Sequence, residues 1–600
     1  MHVIATAGHV DHGKSALLRA LTGMEPDRWA EEKRRGMTID LGYAWMTLAS
    51  GERLAFVDVP GHSRFVPNML AGVGPVPAVL FVVAADGGWM PQSAEHLAAI
   101  DALGISRGVL VVTRADLADP SRAIAQATAQ IRRSSLGDVR AVAVSALTGA
   151  GLPELIGALA ELAGQLPPAD PKAPVRIWVD RAFSITGSGT VVTGTLPAGT
   201  VRRGDELLLM PAVRPVKVRA LQTLGENATE LTGVARAALN LRGIDRTQLA
   251  RGMALVQPGR WRLARQVDVR ISRVSENGPP RLITVHVGSA RTQAKVRMLG
   301  SAVARLTLRD PLPLHVADRV LLRDPGASRE QADPDGGRDI WPGLFGAVVL
   351  DVDPPPLTRR GAATAAATEL AAWPSRPAAA DLVRRRGLAA AADLTAMGVT
   401  DQPEPVAAGW LADSDHWAGL TARLGAIVAE HADREPLAPG LPVEAAREAL
   451  RLPDRRLVLA LASAARSVTA TAGVLTVGTR PDSLPPALAA SVASLLADLA
   501  NRPFDAPDAT RLSELGLEKR DLAAAARHGA LLRLTDQIVL APGAGERAAQ
   551  ILAGLDQPFT AAAARVALGS TRRTVIPLLE HLDRLRLTQR LPDDRRRIRG

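Results

Sequence analysis

No cysteine occurs among the 600 residues, which excludes a disulfide framework and a thiolate metal site and agrees with a reducing compartment. No apolar run approaches the roughly 20 residues that a membrane span needs. The opening MHVIATAGHV carries no basic segment ahead of an apolar one, so neither a span nor a targeting segment is expected, and the expected location is the cytoplasm. Periodic low-complexity tracts are also missing. Of the residues 47% are apolar, enough for several domains with separate cores. Lysine is scarce, since nearly all the positive residues are arginine, and there is a single tyrosine.

The formal charge of +11 is unevenly placed. It amounts to about −3 over residues 1–170, about +12 over 171–360, about −3 over 361–570 and about +5 over 571–600. Two basic regions separated by a mildly acidic one suggest two separate polyanion contacts.

Short apolar runs (HVIATA, RLAFVDVP, AVLFVVAA, GVLVVTRAD, VRAVAVSA) alternate with helix-like stretches over residues 1–168, the pattern of a parallel α/β sheet. LPPADPKAP reads as a linker, and β-like text punctuated by Gly, Pro and Asp predicts one barrel over 175–257 and a second over 258–356. Beyond Pro356 a loose repeat of about 60 residues sets in: helix, turn, longer helix and two strand-like pieces. That order predicts winged-helix modules over 419–480, 485–542 and 545–600, with a more degenerate copy over 365–418.

GHVDHGKS follows the first apolar run and precedes a helix-like stretch. Gly8 and Gly13 let backbone N–H groups, those around His9, Val10, Asp11 and His12 included, converge on phosphates; Lys14 can reach the β- and γ-phosphates and Ser15 can ligate Mg²⁺. Asp58-Val-Pro-Gly61 supplies a carboxylate near such a metal and an N–H for a γ-phosphate. Thr38 stands where it could close on the metal, although an isolated threonine is more often structural. Asp116, in VVTRAD, can accept from both the ring N–H and the amino group of guanine, and Ser145-Ala146-Leu147 adds backbone donors for the guanine oxygen. Four such parts in order predict GTP.

GHVDHGKS, RGMTID, DVPGH and MPQSAEH together resemble the translational GTPases. The resemblance implies that His62 orients the attacking water on the ribosome and that Val10 and Met37 form a hydrophobic gate, two positions that core packing would fill equally well. The chain departs from the family's Asn-Lys-x-Asp pattern in having Thr113-Arg114-Ala115-Asp116. A threonine there is similar to the bacterial selenocysteine-specific elongation factors. DRAFSITGSGTVVTGTL, VRRGDEL and RGIDRTQLARGM are similar to the second domain of factors that carry aminoacyl-tRNA, and the winged-helix arm extends the likeness over the whole chain.

In that family a pocket of an aromatic residue, an Asp-Arg pair and a further arginine distinguishes selenocysteine from serine, which implies Tyr43, Asp180, Arg181 and Arg236 here; a structural tyrosine and a surface ion pair are the plain alternatives. Arg572, Arg573, Arg584, Arg586 and Arg590, with Arg595, Arg596, Arg597 and Arg599 around a PDD turn, could clamp the phosphates of an mRNA hairpin; a solvated basic tail is the other reading. Pro577 is expected to kink the longer helix of that module. The resemblance thus implies a GTPase, expected to be a monomer away from membranes, that delivers selenocysteinyl-tRNA to the ribosome at in-frame UGA codons while tethered to an mRNA stem-loop. A general aminoacyl- or initiator-tRNA delivery GTPase with an unrelated arm, and a winged-helix DNA-binding regulator with a GTPase head, remain open.

Overall fold

The computed structural model describes residues 1–599 except 27–37, 39, 63–64, 75, 186–188, 273–277, 327–342 and 479–483. Met37 therefore lies outside the described residues. The chain divides into two compact units, Met1–Pro405 and Val406–Gly600, and no described helix is long and apolar enough to cross a membrane.

The first unit begins with a sheet whose described strands run in the order β2-β3-β1-β4-β5-β6, formed by β1 (His2–Ala7), β2 (Gly42–Thr47), β3 (Arg53–Asp58), β4 (Ala78–Ala84), β5 (Gly108–Thr113) and β6 (Arg140–Ala143). All pairings are parallel except that of β2 with β3. Valine-rich strands suit this position because both faces are covered, and every residue of β4 is buried. On one face Val3, Val79 and Phe81 pack with Leu97 and Ile100 of α3 (Pro91–Leu103), once α1 (Lys14–Thr22) and α2 (Val66–Val73) have been passed along the chain. On the other, Ile4, Phe56 and Leu80 pack with Leu17 and Leu18 of α1 and with Leu155 and Leu159 of the helix Leu152–Gln165. The loops that leave the carboxyl ends of β1, β3, β5 and β6 are thereby gathered at one edge, where ligands of such sheets bind.

Of the ten described strands from Arg176–Trp178 to Ala254–Val256, eight form one eight-stranded sheet, and Thr200–Arg202 pairs separately with Glu230–Thr232. Along Ala235–Arg242 the period of two buries Ala237, Leu239 and Leu241 in its core and turns Arg236 to the other side. The strands between Leu263–Ser272 and Leu344–Val352 close a six-stranded barrel. Helices Ala362–Ala372 and Ala379–Arg386 are tied to that barrel by charge: Arg385 pairs with Asp268, Arg386 with Asp351, and Arg270 donates to the Leu370 carbonyl at 2.8 Å. The fourth and loosest winged-helix copy, expected over 365–418, is divided by the boundary between the two units, which falls inside it.

In the second unit each of three stretches holds helices followed by a strand pair. Arg455–Ala464 precedes the hairpin Val468–Thr471 and Val474–Val477, Lys519–Arg527 precedes Leu532–Arg533 and Val539–Leu540, and Arg572–Arg584 precedes Thr588–Arg590 and Arg596–Ile598. These are winged-helix modules. The last helix runs through Pro577 without ending. Burial of Thr574, Val575, Leu578, Leu579 and Leu582 along one face supplies more than the single hydrogen bond that proline removes.

Candidate functional site

The loop after β1 is shaped by its glycines. Gly8 has φ +128°, and a Cβ there would lie 2.0 Å from the Val82 carbonyl oxygen. Gly13, at φ 76°, starts α1 with no side-chain cap, so the first N–H groups of that helix point into the loop. Lys14 folds back over it, donating to the carbonyls of Gly8 at 3.0 Å and His9 at 2.7 Å.

Ser15, Thr38 and Asp58 meet beside the helix start. Ser15 Oγ donates to Asp58 Oδ2 at 2.7 Å and stands 3.0 Å from Thr38 Oγ1. Thr6 Oγ1 donates to the second oxygen of Asp58, also at 2.7 Å, and fixes the carboxylate. Two hydroxyls and one carboxylate fit the oxygen-only ligation of a hard divalent cation such as Mg²⁺. Gly61 approaches the loop after β1 so closely that a Cβ would fall 2.6 Å from Val10 N and 2.7 Å from Lys14 Nζ. His62 follows it, half-buried, with its ring centroid 5.9 Å from that of Phe65.

Two residues of MPQSAEH hold the loop from behind, and neither was singled out by the sequence reading. Gln92 Oε1 accepts from Val10 N–H at 2.9 Å, and His96 Nδ1 accepts from Gly8 N–H at 3.0 Å. Burial first, then the neighbouring Lys14 and His9 charges, push the His96 pKa well down and favour the neutral ring, and the Gly8 N–H that it accepts leaves the lone pair on Nδ1. His12 is likewise lowered, to about 4, by burial, His9 and Lys14. The quoted motif was the available signal for both contacts.

Thr113 takes over the loop-tying task for which the related pattern uses an asparagine. Its hydroxyl donates to the His12 carbonyl at 2.8 Å. Arg114 adds a second strap, from its guanidinium to the Asp11 carbonyl and, at 2.9 Å, to Asp86. Asp116 is exposed at the rim, beside a loop in which Ser145 is buried, Ala146 is half-buried and Leu147 is 87% exposed. Ala115 N–H donates to Val144 O at 3.2 Å and joins the two loops.

A second site lies between β2 and the eight-stranded sheet. Tyr43 OH donates to Asp180 Oδ2 at 3.2 Å, and Arg236 donates to the same oxygen at 2.6 Å and to Thr195 Oγ1 at 3.0 Å. The Arg236 guanidinium stands 4.1 Å from the Tyr43 ring centroid and that of Arg181 5.1 Å from it. Thr193 completes the hold on Asp180. Burial by itself would raise the Asp180 carboxyl, but the Arg236 charge and hydrogen bonds from Arg236 and Thr193 bring it below its ordinary value; burial raises the Tyr43 phenol against the pull of Arg236. Tyr43, Arg181, Arg236, Phe183 and Trp45 line a cavity of about 230 Å³. All four residues named for this pocket are thus brought together.

In the last winged helix Arg572 and Arg573 are exposed at the start of the helix, and Arg584, Arg586 and Arg597 are exposed beyond it. Arg590 pairs with Asp594 and Arg595 with Asp593, both in solvent. Arg596 departs from the expectation of an RNA contact: it is 6% exposed, and its Nε is 2.9 Å from Asp583. The period of two in the wing turns it inward, where it fastens strand to helix.

Four family models match the chain: Elongation factor Tu GTP binding domain over residues 1–165, Elongation factor Tu domain 2 over 189–256, Selenocysteine-specific elongation factor, beta-barrel domain, over 273–333, and Elongation factor SelB, winged helix, over 550–597. The selenocysteine-specific elongation factor of Desulfomicrobium baculatum is 38% identical over 57% of this chain and 56% of its own length, so the chain spans little more than half of that relative. Elongation factor Tu 2 of Streptomyces avermitilis is 30% identical over 48% of this chain and 79% of its own. A crystal structure of a bacterial selenocysteine-specific elongation factor shares the fold over 100% of both chains, with a TM-score of 0.76 at 24% identity. With a nucleotide-binding domain, two β-domains and a winged-helix domain each matched in this order, and a relative of which 79% is covered at 30% identity, the chain belongs to the elongation factor Tu-type translational GTPases.

Proposed function

We propose that the protein is a GTP-hydrolysing elongation factor that carries selenocysteinyl-tRNA to the ribosome at in-frame UGA codons and holds an mRNA stem-loop with its last winged helix. The phosphates of GTP would lie on residues 8–15, with Lys14 against the β- and γ-phosphates and the N–H of Gly61 facing the γ-phosphate. Asp116 would select guanine, Ser145, Ala146 and Leu147 would border its oxygen, and Thr113 and Arg114 would hold the loop beneath it. Ser15 and Thr38 would ligate Mg²⁺, which neutralises charge developing on the phosphates. His62 would orient the attacking water, with Val10 on one side of it. Related factors are named for translation elongation, and hydrolysis would time release of the tRNA in the cytoplasm.

The observation that carries this reading is the convergence of Tyr43, Arg181 and Arg236 on one cavity. A selenol ionises near neutral pH and a serine hydroxyl does not, so a cavity walled by two guanidinium groups favours the selenolate. Equilibrium binding in the presence of a GTP analogue is expected to favour selenocysteinyl-tRNA over seryl-tRNA by about tenfold to a hundredfold, the equivalent of the 1.5–3 kcal/mol that a hydrogen bond to a charged group contributes. Equal affinity for the two would remove the reading.

The RNA half rests on unequal pairing of the arginines. In the preceding module Arg511, Lys519, Arg520 and Arg533 all have acidic partners, whereas Arg572 and Arg573 at the equivalent helix start make no ion pair among the described residues. The double variant Arg572→Ala/Arg573→Ala is expected to make the dependence of log K on log salt shallower by roughly 1.4–1.8 for an RNA hairpin, two phosphate contacts' worth. An unchanged slope, measured by filter binding across a salt series, would move the contact elsewhere.

A further inference from the structure

Asp40 stands between the two sites. It lies two residues beyond Thr38, whose hydroxyl is 3.0 Å from Ser15 Oγ. Its carboxylate reaches the other way, into the second domain: Oδ2 is 3.3 Å from Arg181 Nε and Oδ1 is 2.9 Å from Arg251 Nη1. The Leu41 carbonyl, one residue on, accepts from Arg181 Nη2. Arg181 in turn lies over Tyr43 and walls the cavity. Nη2 of Arg251 is buried and makes no hydrogen bond, which leaves Asp40 as the polar partner of that guanidinium among the described residues.

We propose that Asp40 is a positioning residue that couples the Ser15–Thr38–Asp58 cluster to the side-chain pocket by setting the place of Arg181 and Arg251. Consecutive Cα atoms are about 3.8 Å apart, so a link of at most about 7 Å joins Thr38 to Asp40, and a displacement of Thr38 beyond the reach of that link carries Asp40 with it. Charge-assisted N–H···O contacts are made at about 2.7–2.9 Å and weaken steeply when stretched, so such a movement breaks the hold on both guanidinium groups together. Arg181 then loses the carboxylate and the carbonyl that aim it over Tyr43. A ligand that draws Thr38 toward Ser15 fixes Arg181, and by linkage an occupant of the cavity that needs Arg181 in place favours that ligand to the same extent.

The inference rests on the reading of the cavity as an aminoacyl pocket, and two full-length variants separate the failures. For each protein the affinity for selenocysteinyl-tRNA is measured with a non-hydrolysable GTP analogue and with GDP, and the ratio of the two is the coupling. Asp40→Asn is expected to lower that ratio by about tenfold, within the usual range of coupling energies, and to lower by the same factor the effect of the tRNA on the nucleotide preference, while Asp40→Glu restores part of it. A damaged fold would weaken both states without changing their ratio. A ratio in Asp40→Asn within about twofold of the unaltered protein overturns the coupling role. Arg236→Ala tests the pocket separately: if it leaves the preference over seryl-tRNA intact, the pocket reading fails, and the ratio for Asp40→Asn still decides whether Asp40 couples the two ligands.

Discussion

Arg236→Ala is expected to abolish most of the preference for selenocysteinyl- over seryl-tRNA and to destabilise the first unit by about 3–5 kcal/mol, the usual result of removing one partner from a buried ion pair. The two side chains are 11% and 5% exposed, and Arg236 is 2.6 Å from Asp180, so its removal leaves a carboxylate facing the Tyr43 phenol and the Thr193 hydroxyl in place of a cation. The same change lowers the positive potential of the cavity wall and uncovers one face of the Tyr43 ring. The two losses are read separately, in a tRNA protection assay and in thermal unfolding. Arg236→Lys keeps the charge but lacks the planar guanidinium that lies over the Tyr43 ring, and falls between the alanine variant and the parent in both assays. Unchanged discrimination in Arg236→Ala would mean that the cavity does not read the amino acid.

Gly8→Ala is expected to lower guanine-nucleotide affinity by about a hundredfold or more, the equivalent of about 3 kcal/mol. At φ +128° a side chain is strained before any contact is considered, and the new Cβ would overlap a backbone carbonyl of the central strand β4 at 2.0 Å. That carbonyl belongs to a strand paired on both sides and does not yield, so the loop must move. Its N–H groups, the hydrogen bond to His96 and the Lys14 contact with the Gly8 carbonyl move with it. Titration with a fluorescent GDP analogue measures the loss; an affinity within about threefold of the parent would show that the loop tolerates displacement.

The parts of the nucleotide site that the sequence made legible are those whose geometry is local. In GHVDHGKS, two glycines, a lysine and a serine in eight residues settle a loop and a helix start, because positive φ and an uncapped helix require those residue types at that spacing. Asp58 was legible because a carboxylate at the end of an apolar strand can only face the edge where the loops gather. The alternation that places Arg236 opposite the core of its strand was also present in the sequence, but its meeting with Tyr43 was implied by the family resemblance alone.

What the residues by themselves did not give were contacts made across elements by side chains with ordinary local surroundings. Gln92 and His96 sit on a helix that reads as a buried apolar face, yet their polar atoms serve a loop some 80 to 90 residues away. Thr113 replaces an amide with a hydroxyl, and whether it still ties the loop depends on the 2.8 Å to the His12 carbonyl, which only the pairing of β1 with β4 and of β4 with β5 fixes. Arg596 stands in a run of three arginines that looks uniformly exposed, and the pleat of a three-residue strand sends it inward to Asp583.

The sequence by itself determined the class of the protein: a phosphate loop on a parallel sheet, two β-domains, winged helices and the sites of positive charge, since each follows from the conformations open to a short run of residues. Tertiary structure decided which arginines are available to a ligand and which are held by a carboxylate. A guanidinium has the same charge in either case, and only the distance to its nearest acid, set by how β2, the eight-stranded sheet and the wings pack, separates Arg572 from Arg596 and joins Asp40 to Arg181.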